Sequence, residues 1–159
     1  MLFRSYLWDE GEPKKAFEKA MQIAKKKAMS LSDIFCVERH KKDFQDLVKN
    51  KLDITFANEQ EIKSLISTND FREVIDFCKN LNSSIVITRG ENGSIAINGD
   101  NIYECKANQI TNLVDLTGAG DLFAAGYLHG YINNLSIKEC LIKGTEMSSK
   151  IIQKFGARL

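Results

Sequence analysis

The sequence is poor in proline, in paired cysteines and in long apolar runs. Pro13 is the only proline among 159 residues, which excludes a proline-rich linker or recognition segment. Cys36, Cys78, Cys105 and Cys140 lie far apart, and no C-x-x-C pair occurs. Zinc sites and redox motifs need close cysteine spacing, so we expect reduced, mostly buried thiols.

A strong charge of one sign is also missing. The 22 lysine and arginine residues nearly cancel the 21 acidic ones, so we expect neither nucleic acid nor a membrane surface as a partner. No apolar run reaches membrane-spanning length, and the segment 1–8 is too short for a signal peptide. These absences predict a cytoplasmic protein. The 43% apolar content is ordinary for a folded domain.

Strand-like and helix-like segments alternate along the chain, which predicts an α/β fold with a largely parallel sheet. Asn98-Gly99 predicts a hairpin near the middle, and Ser136-x-x-Glu139 predicts a capping box. No repeat or linker divides the chain, so we expect a single domain over residues 1–159. The predicted strands are 2–8, 33–37, 54–57, 84–88, 94–97 and 102–105. The predicted helices are 13–30, one through Phe44, Leu47 and Val48, 58–66, 71–81, 119–131 and 136–154.

The most informative segment is a glycine-rich helix start that follows Asp115 and Leu116. Glycine is unfavourable at a helix start unless the backbone itself is needed there. We interpret Gly118, Ala119 and Gly120 as N–H donors toward a phosphate at the positive end of the helix dipole, with Thr117 as N-cap. This pattern predicts an anion hole.

Asp121 lies in the first turn of the same helix, where it could take the proton of an attacking hydroxyl. In the competing interpretation, Asp121 only complements the helix dipole and the glycines allow close packing. Gly126 and Gly130 continue the small-residue face, so packing accounts for part of the glycine content. Together, the carboxylate and the anion hole indicate phosphoryl transfer.

Two other segments follow predicted strands. Open α/β sheets bind ligands where strands end, and the segment 88–93 lies at the end of the most clearly predicted strand, 84–88. A plain turn explains the segment as well. Asn58 and Glu61 fit a capping pair, and Glu61 could alternatively hold Mg²⁺ through water. His40 and His129 have no evident partner. A P-loop sequence is absent.

In this order, the three segments resemble the C-terminal half of a PfkB (ribokinase-like) carbohydrate and nucleoside kinase. The segment 115–121 resembles the family's D-T-x-G-A-G-D signature, Thr88-x-Gly90-x-x-Gly93 its ATP loop, and Asn58-x-x-Glu61 its magnesium motif. Three further stretches resemble the bacterial adenosine-kinase-like branch: 6–9, 32–40 and 155–158. The resemblance implies a three-layer ribokinase-like sheet with flanking helices, truncated to its nucleotide-binding half.

The resemblance also implies roles for individual residues. Asp121 would be the catalytic base, with Gly118, Ala119 and Gly120 as the anion hole, and Glu61 would organise Mg²⁺. Asp115 and Thr117 match positions that hold a monovalent cation such as K⁺ in some members, although Leu116 departs from the pattern between them. The residues that would contact ATP are Asn58, Thr88, Arg89, Gly90, Glu91, Asn92, Gly93 and Gly120.

The family's N-terminal half, with its acceptor site and lid, has no counterpart in the sequence. Two hypotheses therefore stay open. In the first, the chain is an ATP-dependent kinase of a nucleoside or sugar, with adenosine favoured. In the second, it is a non-catalytic remnant or a nucleotide-binding subunit that needs a separate N-terminal half. As a protein partner we expect either such a half or a second copy of the chain, in a homo-oligomer.

Overall fold

Helices flank a mixed sheet of six strands in the order β1-β2-β3-β4-β5-β6. The computed structural model describes residues 1–158. The α/β class predicted from the sequence is confirmed. The strands are β1 Leu2–Arg4, β2 Ala28–Ser30, β3 Ile54–Asn58, β4 Ser84–Thr88, β5 Ser94–Asn98 and β6 Asn101–Cys105. The helices are α1 Glu12–Ile23, α2 Ile34–Arg39, α3 Lys41–Asn50, α4 Glu59–Ile66, α5 Phe71–Lys79, α6 Ala119–Ile132 and α7 Ile137–Ile151.

The first three strands run parallel, with Leu2 opposite Ala28 and Ala28 opposite Ile54. Each pair is joined through helix, as parallel neighbours require. Only Gly99 and Asp100 separate β5 from β6, and so short a connection joins antiparallel strands. The hairpin predicted from Asn98-Gly99 is confirmed, and Gly99 has a positive φ of 56°.

The predicted strand 2–8 is too long. β1 ends at Arg4, and Ser5–Trp8 form a 3₁₀ turn. The turn packs the Trp8 ring 5.0 Å from Phe17, and the indole N–H donates to the Asp43 carboxylate at 2.7 Å. These tertiary contacts outweigh the local β preference of the aromatic run.

The predicted helix 13–30 merges two elements. Pro13 lies in the first turn of α1, as predicted, but the helix ends at Ile23 and β2 follows it. Ala28 and Met29 are buried, as in a central parallel strand covered on both faces. Three residues are too few to display a strand period in the sequence.

The predicted strand 33–37 is wrong, because this segment forms α2. The Asp33 carboxylate accepts the N–H groups of Phe35 and Cys36 at 2.6 and 3.4 Å, which makes Asp33 the N-cap. A short apolar run does not distinguish a strand from a buried helix. The last helix, α7, opens with the predicted Ser136–Glu139 capping box and ends at Ile151 rather than Lys154.

The chain divides into two compact units. The first comprises Met1–Ile87 and Ile97–Asn101, and the second comprises Thr88–Ala96 and the residues from Ile102 onward. The ranges show that β4, β5 and β6 each contribute residues to both units. In the first unit, an aromatic cluster of Phe3, Trp8, Phe17 and Phe44 forms part of the core.

In the second unit, α6 and α7 pack on glycines. A Cβ on Gly126 would lie 2.5 Å from the Lys143 carbonyl oxygen, and a Cβ on Gly144 would lie 2.9 Å from the Phe123 carbonyl oxygen. At Gly130 the nearest atom would be the Cys140 Sγ, at 3.0 Å. The packing interpretation is therefore confirmed for Gly126 and Gly130.

The four cysteines are free, and Cys36, Cys78 and Cys140 are buried, as predicted, while Cys105 is half-buried. Burial raises the pKa of the Cys78 thiol to about 12. Within residues 1–158, none of the helices combines the length and the apolarity that a bilayer crossing requires.

Candidate functional site

The loop of residues 115–120, here called the anion loop, leads into α6. Gly118 is the N-cap, with φ 80°, a left-handed conformation that glycine adopts without strain. The prediction that Thr117 is the N-cap is wrong. Its hydroxyl instead donates to Asp115 Oδ1 at 2.7 Å, and its N–H donates to the same oxygen at 2.9 Å.

Asp115 is the centre of hydrogen bonding in the anion loop. Besides the two Thr117 donors on Oδ1, its Oδ2 accepts the N–H of Gly156 at 2.9 Å. The Thr117 N–H, the Thr117 hydroxyl and the Gly156 N–H hold the pKa of this carboxyl below its usual range. Asp115 therefore stays ionised and holds the loop at near-neutral pH.

Gly120 differs from Gly118 because the protein itself gives no reason for a glycine there. It lies in the first turn of α6, and a Cβ added to it would meet nothing within 4 Å. A helical glycine costs about 1 kcal/mol relative to alanine. The space beside Gly120 therefore suits a ligand that approaches the backbone closely.

The first turn of α6 supplies N–H groups without intrahelical acceptors. Ala119 departs from the predicted set of donors, since its N–H donates to the Leu116 carbonyl at 3.1 Å. Asp121 is half-buried in the same turn, one residue after Gly120. The start of α6 thus combines a positive helix end with a carboxylate.

The segment 88–93 forms the turn between β4 and β5. The Arg89 N–H donates to the Gly93 carbonyl at 2.8 Å, and the Gly93 N–H donates to the Gly90 carbonyl at 3.0 Å. Gly90 and Gly93 have φ values of 56° and 84°, and a Cβ on Gly93 would lie 2.1 Å from the Cys105 carbonyl oxygen. The turn interpretation is confirmed, and Gly93 is required by its packing.

A cavity of about 660 Å³ joins this turn to the start of α6 within the second unit. It brings together Thr88, Gly90, Glu91 and Gly93 with Ala119 and Gly120, all singled out from the sequence. Arg89 and Asn92 form the turn's own backbone hydrogen bonds instead. The predicted segments therefore face one space that is large enough for a small ligand.

Sequence reasoning missed most of the remaining lining of this cavity. Those residues come from the segment after β6, from α7 and from the position directly after it: Ala107, Asn108, Gln109, Ile110, Leu113, Thr145, Ser148, Ser149 and Ile152. At α7 the signal was present, since 145, 148 and 149 in the helix and 152 at its C-cap repeat at helical spacing. The segment after β6 has no periodicity that could have revealed it.

Two buried hydroxyls lie on the cavity wall. Ser94 Oγ and Thr145 Oγ1 are 3.4 Å apart, and Thr145 Oγ1 also donates to the Cys105 Sγ at 3.6 Å. Ser94 and Thr145 are 4% and 7% exposed. Hydrogen bonds satisfy these polar groups, which would be costly to bury alone.

Asn58 and Glu61 form a complete capping box at the start of α4, in the first unit. The Glu61 N–H donates to Asn58 Oδ1 at 2.8 Å, while the Glu61 carboxylate accepts the Asn58 backbone and side-chain N–H groups at 2.9 and 2.8 Å. Burial raises the pKa of Glu61 despite the Asn58 backbone hydrogen bond. The capping interpretation is confirmed.

The described residues contain no group of three or more histidine, cysteine or acidic side chains placed to hold a metal ion. An ion bound here would rely on water or on ligand oxygens. Glu61 fits such a role, because a carboxylate offers about four acceptor positions and two hydrogen bonds to it are formed. Asp115 accepts three hydrogen bonds, so one position remains.

A second cavity of about 500 Å³ lies in the first unit, against Trp8, Phe17 and Leu47. It includes none of the predicted site residues. His40, for which no partner was expected, has one: its Nε2 lies 2.8 Å from Asp9 Oδ1, which also accepts a hydrogen bond from Arg39. The hydrogen bonds from His40 and Arg39 lower the pKa of Asp9.

The family model for pfkB family carbohydrate kinases matches residues 3–159. A curated relative, an uncharacterized sugar kinase of Archaeoglobus fulgidus, is 38% identical over 122 residues, which cover 76% of this chain and 48% of the relative. The cytidine kinase of Thermococcus kodakarensis is 30% identical over 119 residues, covering 73% and 42% respectively.

Solved structures show the same fold. A probable sugar kinase from Rhizobium etli aligns with a TM-score of 0.95 and 38% identity, over 99% of this chain and 49% of that one. The adenosine kinase from Sinorhizobium meliloti aligns with a TM-score of 0.95 and 36% identity, over 99% and 50%. The chain thus spans about half the length of the proteins it matches.

Proposed function

The chain belongs to the pfkB family of carbohydrate kinases, and from that premise we propose that it transfers a phosphoryl group from ATP to a hydroxymethyl group of a nucleoside or sugar. One observation carries the proposal: the cavity in which Gly120 faces open space beside the β4–β5 turn. An adenosine kinase and a cytidine kinase among the similar proteins favour a nucleoside, and adenosine first.

In the proposed reaction, the turn of residues 88–93 and the α7 face bind the nucleotide, and Asn58 contacts it as well. The N–H groups of Gly118 and Gly120, at the start of α6, face the transferring phosphate, whereas the Ala119 N–H donates to the Leu116 carbonyl. Donors fixed in advance stabilise the charge that grows on the phosphoryl oxygens. The anion loop would therefore act mainly on the transition state.

Asp121 is the proposed general base. It accepts the proton of the acceptor hydroxyl while that oxygen forms its bond to the γ-phosphorus, and the bond from the γ-phosphorus to the β–γ bridging oxygen breaks to release ADP. Positioned general-base help contributes about 10²–10⁴-fold. Mg²⁺, when bound with ATP, would neutralise phosphate charge, and Glu61 would orient its water shell.

A monovalent cation is proposed at Asp115 and Thr117, where one acceptor position of Asp115 remains. Such an ion would neutralise charge beside the anion loop. Turnover in KCl should then exceed turnover in tetramethylammonium chloride at equal ionic strength. Equal rates in the two salts would remove the cation from the proposal.

The alternative is a non-catalytic remnant or a nucleotide-binding subunit that needs a separate N-terminal half. Assembly as a homo-oligomer is proposed alongside either version. The alternative is favoured by the match to only about half of each relative. We propose that residues 1–159 act as one nucleotide-binding domain, which is catalytic only in the kinase version. The two versions differ in where the acceptor site lies. In the kinase version this chain holds it, and in the subunit version a separate partner supplies it.

A coupled assay with ATP, Mg²⁺ and adenosine or ribose separates the two. Turnover that Asp121→Asn lowers at least 100-fold, with ATP affinity retained, supports the kinase. Binding of ATP without turnover supports the alternative. If millimolar ADP does not raise the melting temperature of the chain, both versions are wrong, because ligand binding must stabilise the folded state.

A further inference from the structure

The segment after α7 contacts the anion loop through backbone groups. The N–H groups of Val114 and Asp115 donate to the Ile152 carbonyl at 2.9 and 3.2 Å. Further along, the Gly156 N–H donates to Asp115 Oδ2 at 2.9 Å. Ile152 and Gly156 thus both form hydrogen bonds with the residues that begin the anion loop.

A steric contact supports these hydrogen bonds. The position of a Cβ on Gly118 lies 3.0 Å from Ala157 Cβ and 3.1 Å from its Cα. Gly156 itself has φ 83° and no atom within 4 Å of its own Cβ position. Gly156 is therefore a glycine because of its backbone conformation, which sets Ala157 against Gly118.

Asp115 transmits this contact to the helix start. The carboxylate that accepts from Gly156 also accepts the Thr117 N–H and hydroxyl, and Gly118 follows directly as the N-cap of α6. A shift of Gly156 would leave one carboxylate oxygen without its donor. The orientation of the first N–H groups of α6 would then be less fixed.

We propose that Gly156 and Ala157 are positioning residues for phosphate binding, because they form, with Asp115 and Gly118, a C-terminal clasp that fixes the start of α6. The role in phosphate binding rests on the proposed function, whereas the clasp stands on the contacts above. Fixed donors matter because a misplacement of about 1 Å can cost 10²-fold in rate. Gly156 and Ala157 thereby become part of the site, although neither lines the nucleotide cavity.

Gly156→Ala tests the clasp, since it strains the left-handed backbone without creating a clash. Gly99→Ala is the matched control: Gly99 also has a positive φ and open space, but lies in the β5–β6 turn. Hydrogen exchange of the ligand-free chain should become about tenfold faster at the amides of 114–121 in Gly156→Ala alone. Unchanged exchange there would overturn the clasp.

Binding of ATP and AMP tests the positioning role. With the clasp loosened, ATP affinity should fall about tenfold, as expected for one weakened charge-assisted interaction, while AMP affinity stays unchanged. Equal losses for ATP and AMP would overturn the role, because they would indicate general destabilisation. If Gly156→Ala does not fold, Asp115→Asn takes its place, because it sets an amide group against the N–H donors. Hydrogen exchange at 114–121 and the affinities for ATP and AMP are then measured on that variant.

The experiment separates failure of this inference from failure of the proposed function. A wild-type chain that binds neither ATP nor AMP contradicts nucleotide binding and overturns the positioning role with it. The exchange comparison between Gly156→Ala and Gly99→Ala still decides whether the clasp holds the anion loop.

Discussion

Gly118 and Gly120 are only two positions apart, yet they are glycines for different physical reasons. Gly118 has a positive φ and lies against Ala157, so its identity follows from the folded chain alone. Gly120 has neither constraint. The requirement for glycine at position 120 must therefore come from the ligand that occupies the cavity. Gly120 is for this reason stronger evidence for a binding site than Gly118.

This difference predicts opposite effects on stability and function. Gly120→Ala should leave the free energy of unfolding unchanged or raise it by up to about 1 kcal/mol, since alanine favours helix. ATP affinity and turnover should nevertheless fall, because the new methyl group occupies the approach to the N–H groups. Urea unfolding and nucleotide titration measure the two effects.

Gly118→Ala is the control, and it should lower stability through backbone strain and the contact with Ala157. If Gly120→Ala binds ATP as tightly as the wild type, the anion-hole assignment is wrong.

Glu61 predicts a pH dependence of stability. Burial, with the negative charge of Asp33 added, raises its pKa above the ordinary 4.5, against the opposing effects of the Asn58 N–H and Arg4. The folded state therefore binds more protons than the unfolded chain above pH 4.5. The contribution of Glu61 to the free energy of unfolding should therefore fall as the pH rises from 4.5 through the raised pKa.

Glu61→Gln should reduce this fall, because the side chain no longer ionises. Glu73→Gln, at an exposed position of α5, is the control and should leave it unchanged. Urea unfolding at a series of pH values between 4.5 and 7.5 makes the comparison. If the stability difference between the wild type and Glu61→Gln does not change with pH across this range, the prediction is wrong.

At the scale of residues, the sequence predicted the capping box of Asn58 and Glu61 because both partners lie within one turn. It mistook Thr117 for the N-cap. The bond that redirects the Thr117 hydroxyl goes to Asp115, which is itself held by Gly156, 41 residues away. A contact of that range leaves no local signal.

Among the helices, α6 and α7 are held together at the distance that glycine permits. Gly126 and Gly144 face backbone atoms of the opposite helix. Because backbone cannot rotate away as a side chain can, each glycine limits what the other helix can tolerate. The anion loop at the start of α6 depends on this pair.

Gly126→Ala should therefore lower the free energy of unfolding by about 1–3 kcal/mol despite the higher helix propensity of alanine. The reason is the 2.5 Å approach of the new Cβ to the Lys143 carbonyl oxygen. Ala125→Gly, at the exposed neighbouring position, is the matched control and should cost about 1 kcal/mol from propensity alone. Thermal unfolding of both variants tests this, and a Gly126→Ala variant as stable as the wild type would contradict it.

Helices with a full amphipathic pattern, such as α3 and α5, were predictable from the sequence, while two short elements were not. β2 contains three residues and α2 contains six. Below about two turns, periodicity carries little information. The Asp33 N-cap favours the helical conformation of α2. Pairing with β1 and β3 stabilises β2 as a strand.

For the molecule as a whole, nucleotide should protect only part of the chain. ADP binding in the larger cavity predicts slower hydrogen exchange in the segments 88–94, 107–123 and 145–152, which line it. The cavity against Trp8 and Leu47 serves as an internal control. Protection confined to that second cavity would show that the nucleotide site was assigned to the wrong unit.

The fold was predictable at this scale because motif order and strand–helix alternation extend over the whole chain. The walls of the nucleotide cavity were not, since the segment after β6 contributes through its position alone. The acceptor is less predictable still, because the chain spans about half of each relative. The substrate therefore has to be established by assay.

The length of α7 has a consequence of its own. The helix begins directly after its N-cap, Ser136, and extends over 15 residues, a rise of about 22 Å. Beyond it, the Ile152 carbonyl and the Gly156 N–H meet the anion loop. One residue inserted within α7 would turn everything after it by about 100° and advance it by about 1.5 Å, carrying both groups out of reach. The length of the helix therefore sets the position of Ile152 and Gly156 relative to the anion loop. We expect substitutions on its surface to be tolerated far better than insertions or deletions.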